Sequence, residues 1–301
     1  MPEIKSFDHL LNLVKEKPSK RVVVVMGEDP NTIGAAIRAA KDNIAEMILV
    51  GHPEKIADLL KEKGAASDIA RIVPAMSEKE AASKAVSMIR ANDADILMKG
   101  LVGTGNYMKA ILHKEQGLLT KGNILSHVTV LDVPTYDKLL FVSDVAIIPA
   151  PDLGQKQKMI DYTVAIAHKF GIDVPKVAVL TANEKVSDRM PATMEAAILS
   201  KMNDRKQIKG CVVDGPLALD VAISSEACAI KGLKSPVQGY ADILIFPDIE
   251  AGNIFYKGAT ILAKARLAAI VTGANAPCIL TSRADSDESK FLSIVLASQV
   301  A

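Results

Sequence analysis

Short apolar runs alternate along the chain with segments that carry apolar residues at helical spacing. Residues 21–26 form a largely β-branched run that ends at Gly27, and residues 31–43 then place alanine and isoleucine at helical spacing. A short continuous apolar run is typical of a parallel strand that is buried on both faces. The same alternation recurs over most of the chain and predicts a doubly wound α/β architecture.

The alternation predicts the following elements. The predicted strands are 21–26, 47–50, 70–74, 96–98, 124–131, 139–148, 176–180, 211–213, 243–246 and 278–280. The predicted helices are an N-terminal amphipathic helix, 31–43, 53–63, 77–90, 106–114, 153–170, 190–202, 224–231, 253–267 and 286–298. The runs 124–131 and 139–148 are joined by a polar turn, which predicts a hairpin instead of a strand-helix-strand unit.

Two helix starts carry capping signals. Asn31 or Thr32 is expected to cap the helix that follows the first strand. Ser77 is expected to cap the helix over 77–90, with Glu80 completing a capping box.

Length, charge and composition limit the possible classes of function. The 301 residues are enough for two domains, and the formal net charge is only +1. That balance gives no overall positive field for nucleic acid or for an anionic membrane, and aromatic residues for base stacking make up only 4%. No apolar run approaches the ~20 residues of a membrane span, and the N-terminus lacks the apolar stretch of a signal peptide. We therefore expect a cytoplasmic protein without nucleic-acid or membrane partners.

The cysteines are sparse. Cys211, Cys228 and Cys278 form no pair at metal-ligand spacing, which predicts a reducing compartment and no metal site. Cys278 lies four residues before Ser282 and could in principle carry an acyl group as a thioester. A cysteine in a strand is more often a small buried apolar residue, which is the interpretation we favour.

A glycine-rich segment, 100–106, lies between a predicted strand and a predicted helix. Glycines there allow backbone N–H groups to approach an anion, and a helix N-terminus adds favourable partial charge. Lys99 and Lys109 flank the segment. Its spacing matches neither a dinucleotide-binding fingerprint nor a Walker loop, so a phosphate site and an ordinary tight turn are equally supported.

Polar residues also follow other predicted strands. Thr281, Ser282 and Arg283 follow the last one, where ligands bind in open α/β sheets, and Arg offers a bidentate fork for phosphate. The acidic residues beyond them could supply a general base, or could simply complement the dipole of the last helix. Asp214 and Asp248 follow two other strands, and turn chemistry explains Asp214 equally well.

Four segments in this order together resemble the phosphate acetyl/butyryltransferase family. They are 94–104, 214–220, 246–257 and Ser282-Arg283, and the resemblance covers essentially residues 20–300. The loop 181–193 and the short length resemble the butyryl branch more than the acetyl branch.

The resemblance implies a reversible reaction in which acyl-CoA and phosphate give acyl phosphate and CoA. It implies two doubly wound α/β/α domains with the active site in an interdomain cleft, as in isocitrate and isopropylmalate dehydrogenases. The domains would be 1–123 plus 271–301 and 124–270. CoA would be a substrate and not a tightly bound cofactor, the acyl group would be butyryl, no covalent acyl-enzyme would form, and the protein would be a homodimer or larger homo-oligomer.

The resemblance also implies a set of site residues. The expected catalytic residues are Ser282, Arg283, and either Asp287 or Glu288 as the base. The expected substrate-binding residues are Lys99, Gly103, Thr104, Gly105, Lys109, Ser126, Asp214, Asp248, Asn253 and Lys257, and Lys185 and Arg189 are candidates for the CoA phosphates.

Two departures from the family pattern leave alternatives open. The family base lies seven residues after the motif serine, and that position is Ser289 here, so the sequence leaves both Asp287 and Glu288 open. Lys109 stands where the family often has Arg. Alternatives are therefore a phosphate acetyltransferase and a catalytically weak paralogue that binds CoA or acyl phosphate. A metal-dependent decarboxylating dehydrogenase would need more carboxylate ligands than Asp214 and Asp220 offer.

Overall fold

The computed structural model describes residues 2–282 and 285–301. In chain order the strands are β1 (Lys20–Val25), β2 (Ala45–Gly51), β3 (Ala70–Pro74), β4 (Ile96–Lys99), β5 (Ser126–Asp132), β6 (Leu140–Ser143), β7 (Lys176–Leu180), β8 (Val212–Leu217), β9 (Ile243–Ile245), β10 (Arg266–Thr272) and β11 (Cys278–Ile279). The helices are α1 (Phe7–Lys15), α2 (Pro30–Lys41), α3 (Pro53–Glu62), α4 (Glu78–Arg90), α5 (Thr104–Ile111), α6 (Leu153–Lys169), α7 (Pro191–Asp204), α8 (Leu219–Ile223), α9 (Ser225–Ile230), α10 (Ile249–Ile261) and α11 (Asp287–Val300).

The chain forms two compact units. The first unit comprises 7–125 and 267–301, and the second comprises 126–266 together with the N-terminal segment up to Ser6. That segment joins the second unit through the backbone N–H of Ile4, which donates to the carbonyl oxygen of Phe170 at 2.9 Å. The division into two domains with boundaries at 123/124 and 270/271 stays a prediction.

The first unit is built on strands in the order β3-β2-β1-β4-β11-β10. The first five run parallel, and β10 is antiparallel to β11. Because the strand order reverses direction at β1, right-handed crossovers place α2 and α4 on opposite faces of the sheet. Helix α11 packs against α2, and α5 packs against α4. The predicted doubly wound α/β class is confirmed.

The second unit repeats this principle with strands in the order β5-β6-β9-β7-β8. Strands β6, β9, β7 and β8 are parallel, whereas β5 pairs with β6 in antiparallel fashion. The hairpin predicted from the runs 124–131 and 139–148 is thereby confirmed. Its two strands bring Ser126 and Ser143 to the same edge of the sheet.

One tyrosine links the two strands that matter most for the site. Tyr107 of α5 is fully buried, and its hydroxyl lies 3.1 Å from the carbonyl oxygens of both Leu97 in β4 and Ile279 in β11. A buried hydroxyl needs such partners, because an unpaired one destabilises the folded state. Helix α5 is therefore fixed to both strands.

The predicted helix over 253–267 is wrong at both ends. Asp248 caps α10, since its side chain accepts a hydrogen bond from the N–H of Ala251 at 2.8 Å, and the helix therefore begins at Ile249. The sequence analysis missed strand β10, whose apolar run follows directly. That run pairs with β11, so tertiary hydrogen bonding decides between strand and helix there.

Three smaller predictions are also corrected. Asp29, and neither Asn31 nor Thr32, caps α2. Ser77 caps α4 as predicted, but the Glu80 carboxylate accepts from the N–H of Met76 at 2.9 Å, so no reciprocal capping box forms. Strand β8 continues through Asp214 instead of ending before it, because Asp214 and Leu217 still pair with residues of β7, Ala178 and Leu180.

The second unit contains a buried ion pair that the sequence analysis did not single out. The Nζ of Lys138 lies 2.5 Å from Oδ1 of Asp242, and both side chains are almost completely buried. The same Nζ donates to the carbonyl oxygen of Tyr240 at 3.0 Å and lies 3.6 Å from the centre of that ring. Burial lowers the pKa of Lys138 although Asp242 opposes this shift, and burial raises the pKa of Tyr240 to about 12.

Within the described ranges, no helix is long and apolar enough to cross a membrane.

Candidate active site

Strands β4 and β11 end side by side at the carboxyl edge of the first unit's sheet. In their parallel register Cys278 is opposite Leu97, and Ile279 is opposite Met98. The segment that leads to Ser282 and the segment that begins at Gly100 therefore leave the sheet as neighbours. Loops at the carboxyl ends of adjacent parallel strands are where open α/β sheets bind ligands.

Lys99 is the last residue of β4, and its side chain is buried. Its Nζ donates to the carbonyl oxygen of Gly100 at 3.2 Å. Gly100 lies against the end of β1, because a Cβ there would be 2.3 Å from the carbonyl oxygen of Met26. Only glycine fits here, because the backbone of residue 100 packs directly against the backbone of Met26. This close packing fixes where the loop after Lys99 begins.

The predicted anion loop already holds a carboxylate. Gly103 caps α5, and its N–H donates to Oε2 of Glu78 at 3.1 Å. The side-chain amide of Asn106 donates to the same oxygen at 2.6 Å. Thr104 and Gly105, the other residues predicted to bind substrate here, are exposed. Sequence reasoning missed Glu78, since nothing local links the first turn of α4 to a loop 25 residues later.

Ser282 follows β11, separated from it by Leu280 and Thr281. Its N–H donates to Oδ2 of Asp285 at 2.7 Å, and the N–H of Asp285 donates to its carbonyl oxygen at 3.2 Å. Ser286 caps α11 by accepting from the N–H of Ser289 at 3.2 Å. Arg283, the predicted phosphate ligand, lies outside the described residues.

The two candidate bases differ in how they are held. Asp287 is the first residue of α11, and its Oδ1 accepts from the N–H of Glu288 at 2.9 Å. Its Oδ2 would lie 3.3 Å from a Cβ placed on Gly34, so the carboxylate is adjacent to the backbone of α2. The side chains of Asp287 and Glu288 are both exposed, and no described contact holds the carboxylate of Glu288.

A cationic groove runs between α4 and α5. It has a volume of about 930 Å³. It is lined by Lys79, Ala82, Ser83, Val86, Ser87, Arg90, Ala91, Asn106, Lys109, Ala110, His113 and Gln116. None of these lining residues is acidic, so the groove concentrates positive charge in a nearly neutral chain. Glu78 ties its walls together at one end, and at the other Arg90 donates to the carbonyl oxygen of Glu115 at 2.7 Å. Lys109 thus belongs to this groove.

In the second unit, Ser126 has a structural partner. Its buried hydroxyl donates to Oδ2 of Asp144 at 3.0 Å. The same carboxylate accepts backbone N–H groups of His127, Ala146 and Ile147, each at 2.8 Å. Asp144 therefore fixes the turn after β6 and orients Ser126. The only sequence signal for it was an acidic residue directly after an apolar run.

Asp248 and Asn253 attach α10 to the same region of the second unit. Asp248 caps the helix, and the side-chain amide of Asn253 donates to the carbonyl oxygen of Val145 at 3.0 Å. Gly252 allows this approach, because a Cβ there would lie 2.3 Å from the carbonyl oxygen of Asp144. Lys257, one turn beyond Asn253, is exposed.

The remaining predicted residues lie elsewhere in the second unit. Asp214 lies within β8, and its Oδ2 accepts from the hydroxyl of Ser235 at 2.6 Å. Lys185 and Arg189 are exposed on the loop that leads to α7. No described contact joins these two side chains to Asp214.

Comparison with known proteins identifies the family. A sequence profile described as Phosphate acetyl/butaryl transferase matches residues 53–298. The chain belongs to this family. It is an acyltransferase of the phosphate-dependent class, as the resemblance of its motifs implied, and acyl-CoA and phosphate are the substrates that the class implies.

Relatives of this acyltransferase carry names from both branches of the family. It is 46% identical over 297 residues to the phosphate butyryltransferase of Clostridium beijerinckii, covering 99% of this chain and 98% of the relative. It is 44% identical over 290 residues to the phosphate acetyltransferase of Thermotoga maritima, covering 96% and 98% of the two chains. Both branches therefore lie at similar distance, and the names alone do not assign the acyl group.

Solved structures agree with the fold. The crystal structure of a branched-chain phosphotransacylase from Enterococcus faecalis V583 superposes with a TM-score of 0.83 at 32% identity, covering 93% of this chain and 99% of that one. A 4-hydroxythreonine-4-phosphate dehydrogenase from Klebsiella pneumoniae, only 14% identical, gives 0.56 over 94% and 99% of the two chains. The latter likeness concerns the fold alone, and it confirms the dehydrogenase-like class.

The structure bears on one chemical alternative for this transferase, a covalent acyl-cysteine. Cys278 is completely buried in β11, and burial raises the pKa of its thiol to about 12. A thiol must ionise to act as a nucleophile, and access is also required. The geometry therefore disfavours acyl transfer through Cys278.

We expect the Cys278→Ala variant to keep kcat within about twofold of the wild-type value, because the thiol takes no part in the reaction. The measurement is phosphate-dependent release of CoA, with Ser282→Ala assayed in parallel as the variant that should lose activity. A Cys278→Ala protein that has a native-like melting temperature but no activity would contradict this expectation.

Among the described residues, no group of three or more histidine, cysteine or acidic side chains could hold a metal ion.

Proposed function

We propose that this acyltransferase interconverts butyryl-CoA plus phosphate with butyryl phosphate plus CoA. The loop 181–193, which resembles the butyryl branch, supports the acyl group, as does the C. beijerinckii relative. The T. maritima relative, named an acetyltransferase, favours acetyl as the second candidate.

One observation carries the proposed site: the parallel pairing of β4 with β11. It supports a binding place for phosphate where Lys99 and the loop after it adjoin Ser282. Arg283 would clamp the phosphoryl oxygens through its bidentate fork, and the exposed residues Thr104 and Gly105 would contribute contacts. Since Glu78 occupies the N–H of Gly103, we assign the main anionic contacts to the side of Ser282 and Arg283.

The proposed chemistry is a direct transfer. In the direction of acyl-CoA synthesis, a carboxylate takes the proton of the CoA thiol, and the thiolate attacks the carbonyl carbon of the acyl phosphate. The bond between that carbon and the bridging oxygen then breaks, and phosphate leaves with the bonding electron pair. Ser282 would hydrogen-bond the reacting group. Positioning of two bound substrates can supply up to ~7–11 kcal/mol of the barrier reduction, so no covalent acyl-enzyme is needed.

The groove between α4 and α5 suits the phosphorylated end of CoA. Its lining carries the cations Lys79, Arg90 and Lys109, whereas Glu78 borders it at one end, and it adjoins the start of α5. Phosphates bind where such positive charge is concentrated. We propose Lys109 as a CoA contact on this ground, whereas Lys185 and Arg189 remain further candidates from their position on an exposed loop.

The other proposed substrate residues are Asp214, Asp248, Asn253, Lys257 and Ser126. Their contacts within the second unit support a positioning role for most of them, with Lys257 exposed for direct contact. From the family resemblance we further propose that the enzyme acts as a homodimer or larger homo-oligomer in the cytoplasm.

The test follows CoA release with a thiol reagent from butyryl-CoA, isobutyryl-CoA and acetyl-CoA, each with and without phosphate. We expect phosphate-dependent release with kcat/KM highest for butyryl-CoA, by about tenfold or more over acetyl-CoA, since each additional buried methylene contributes about 0.8 kcal/mol. Higher kcat/KM for acetyl-CoA would reassign the acyl group. Release that does not depend on phosphate would sink the proposed reaction.

A further inference from the structure

A buried hydroxyl stands directly beside the proposed site. Thr281 lies between β11 and Ser282, and only 5% of its surface is exposed. Its Oγ1 has no hydrogen-bond partner among the described residues. Buried hydroxyl groups in folded proteins are nearly always paired, because water no longer solvates them. A bound ligand could therefore supply the hydrogen-bond partner that the hydroxyl of Thr281 lacks.

The position of Thr281 gives the unpaired hydroxyl a functional context. The pairing of Ile279 with Met98 puts the next residues of both strands at the carboxyl edge of the sheet. Thr281 immediately precedes Ser282, and continuing this register by two residues would set it opposite Gly100, where the glycine-rich loop starts. Two other buried hydroxyls lack described partners, those of Thr32 and Ser298, but neither lies on this segment.

We propose that Thr281 is a substrate-binding residue whose hydroxyl donates a hydrogen bond to a phosphoryl oxygen. The acceptor is phosphate in one direction of the reaction and acyl phosphate in the other. This inference rests on the proposed function, since it uses the phosphate place assigned to Ser282 and Arg283.

The chemistry of the group fits this role. A threonine hydroxyl carries one donor whose hydrogen rotates freely, and a charged phosphoryl oxygen is a strong acceptor. Rotation about the Cα–Cβ bond can point the hydroxyl oxygen in different directions, and such rotamer changes are common when a ligand binds. The thioester substrate lacks a phosphoryl group at its reacting carbon. Thr281 should therefore affect the binding of phosphate and of acyl phosphate, but not the binding of acyl-CoA or CoA.

The test removes the hydroxyl without changing the shape of the side chain. We expect Thr281→Val to raise the KM for phosphate and for butyryl phosphate about tenfold, as for loss of a hydrogen bond to a charged group. The KM values for CoA and butyryl-CoA should stay within about twofold, and the melting temperature should not fall. Thr281→Ser, which keeps the hydroxyl, should restore both phosphoryl KM values to within about threefold of wild type.

Ser298→Ala is the matched control. Ser298 also carries a buried, unpaired hydroxyl, but it lies near the other end of α11, roughly 16 Å along the helix from Asp287. The control should change no KM value. If Ser298→Ala raises the KM for phosphate as much as Thr281→Val does, the increase comes from a general disturbance of the folded structure, and the inference fails.

Two results would overturn the assignment. One is a wild-type KM for both phosphoryl substrates in Thr281→Val, with or without a lower melting temperature, which would mean that the hydroxyl serves only the fold. The other is an equal defect in Thr281→Ser. Calorimetric titration with inorganic phosphate separates this inference from the proposed function. Weaker phosphate binding by Thr281→Val supports the inference even if the wild-type protein does not turn over, and equal binding overturns it.

Discussion

Asp287→Asn is expected to lower kcat by about 10²–10⁴-fold, the range that loss of a general base produces, while CoA still binds. Glu288→Gln should leave kcat within about threefold of wild type. The measurement is steady-state kinetics of acyl-CoA formation from butyryl phosphate and CoA, the direction in which the base must deprotonate the thiol.

The choice of Asp287 over its neighbour follows from how each carboxylate is held. Asp287 accepts the N–H of Glu288 and lies against the backbone of α2 at Gly34, so its position is defined from two sides. Both side chains are exposed, but no described contact holds the carboxylate of Glu288, which also carries one more rotatable bond. A general base works within hydrogen-bond reach of its proton, and a defined position favours that geometry.

The control for this pair is binding of CoA in the absence of turnover. Both variants should bind CoA with a Kd within about threefold of wild type, because neither carboxylate is proposed as a CoA contact. A large loss of kcat in Glu288→Gln, with Asp287→Asn near wild type, would reverse the assignment of the base. Loss in neither variant would remove both from the reaction.

Lys138→Met should reduce the free energy of unfolding of the second unit by about 3–5 kcal/mol, the usual result when one partner of a buried ion pair is removed. Asp242 would then remain buried without its cation, with only the N–H of Lys176 at 2.7 Å as a described partner. Urea unfolding at neutral pH, followed by circular dichroism, measures the loss.

The double variant Lys138→Met/Asp242→Asn is the informative control. Burial already lowers the pKa of Lys138, which means that the charged lysine gains less from Asp242 than it loses from water. Replacing both charges should therefore recover most of the lost stability, as is common for buried pairs. A double variant as unstable as the single one would show that packing around Tyr240, and not the unpaired charge, causes the defect.

Local patterns in the sequence predicted the fold well. Buried runs such as Val22–Val25 and the hairpin of β5 and β6 follow from hydrophobic periodicity and turn residues, which act over a few positions. The same patterns missed β10, because an apolar run after a helix becomes a strand only through its pairing with β11. Long-range pairing of this kind leaves no local signature.

The site could be predicted only in part, for a similar reason. Ser282 was found because it comes shortly after a strand, β11, whose neighbour β4 leads into the glycine loop. The carboxylate of Glu78 on Gly103 was not foreseeable, since the two residues are 25 positions apart and meet only after α4 and α5 pack. The support that Asp144 gives to Ser126 depends likewise on the completed hairpin.

Hydrogen bonds from Asn106 to Glu78 and from Arg90 to Glu115 join the two walls of the groove between α4 and α5. Its width is therefore set before any ligand arrives. A preformed cationic surface acts on an anionic ligand mainly during the encounter, by drawing it in from a distance of about one Debye length, roughly 8 Å at physiological salt. With CoA bound in the groove as proposed, its association rate should therefore fall as the ionic strength rises.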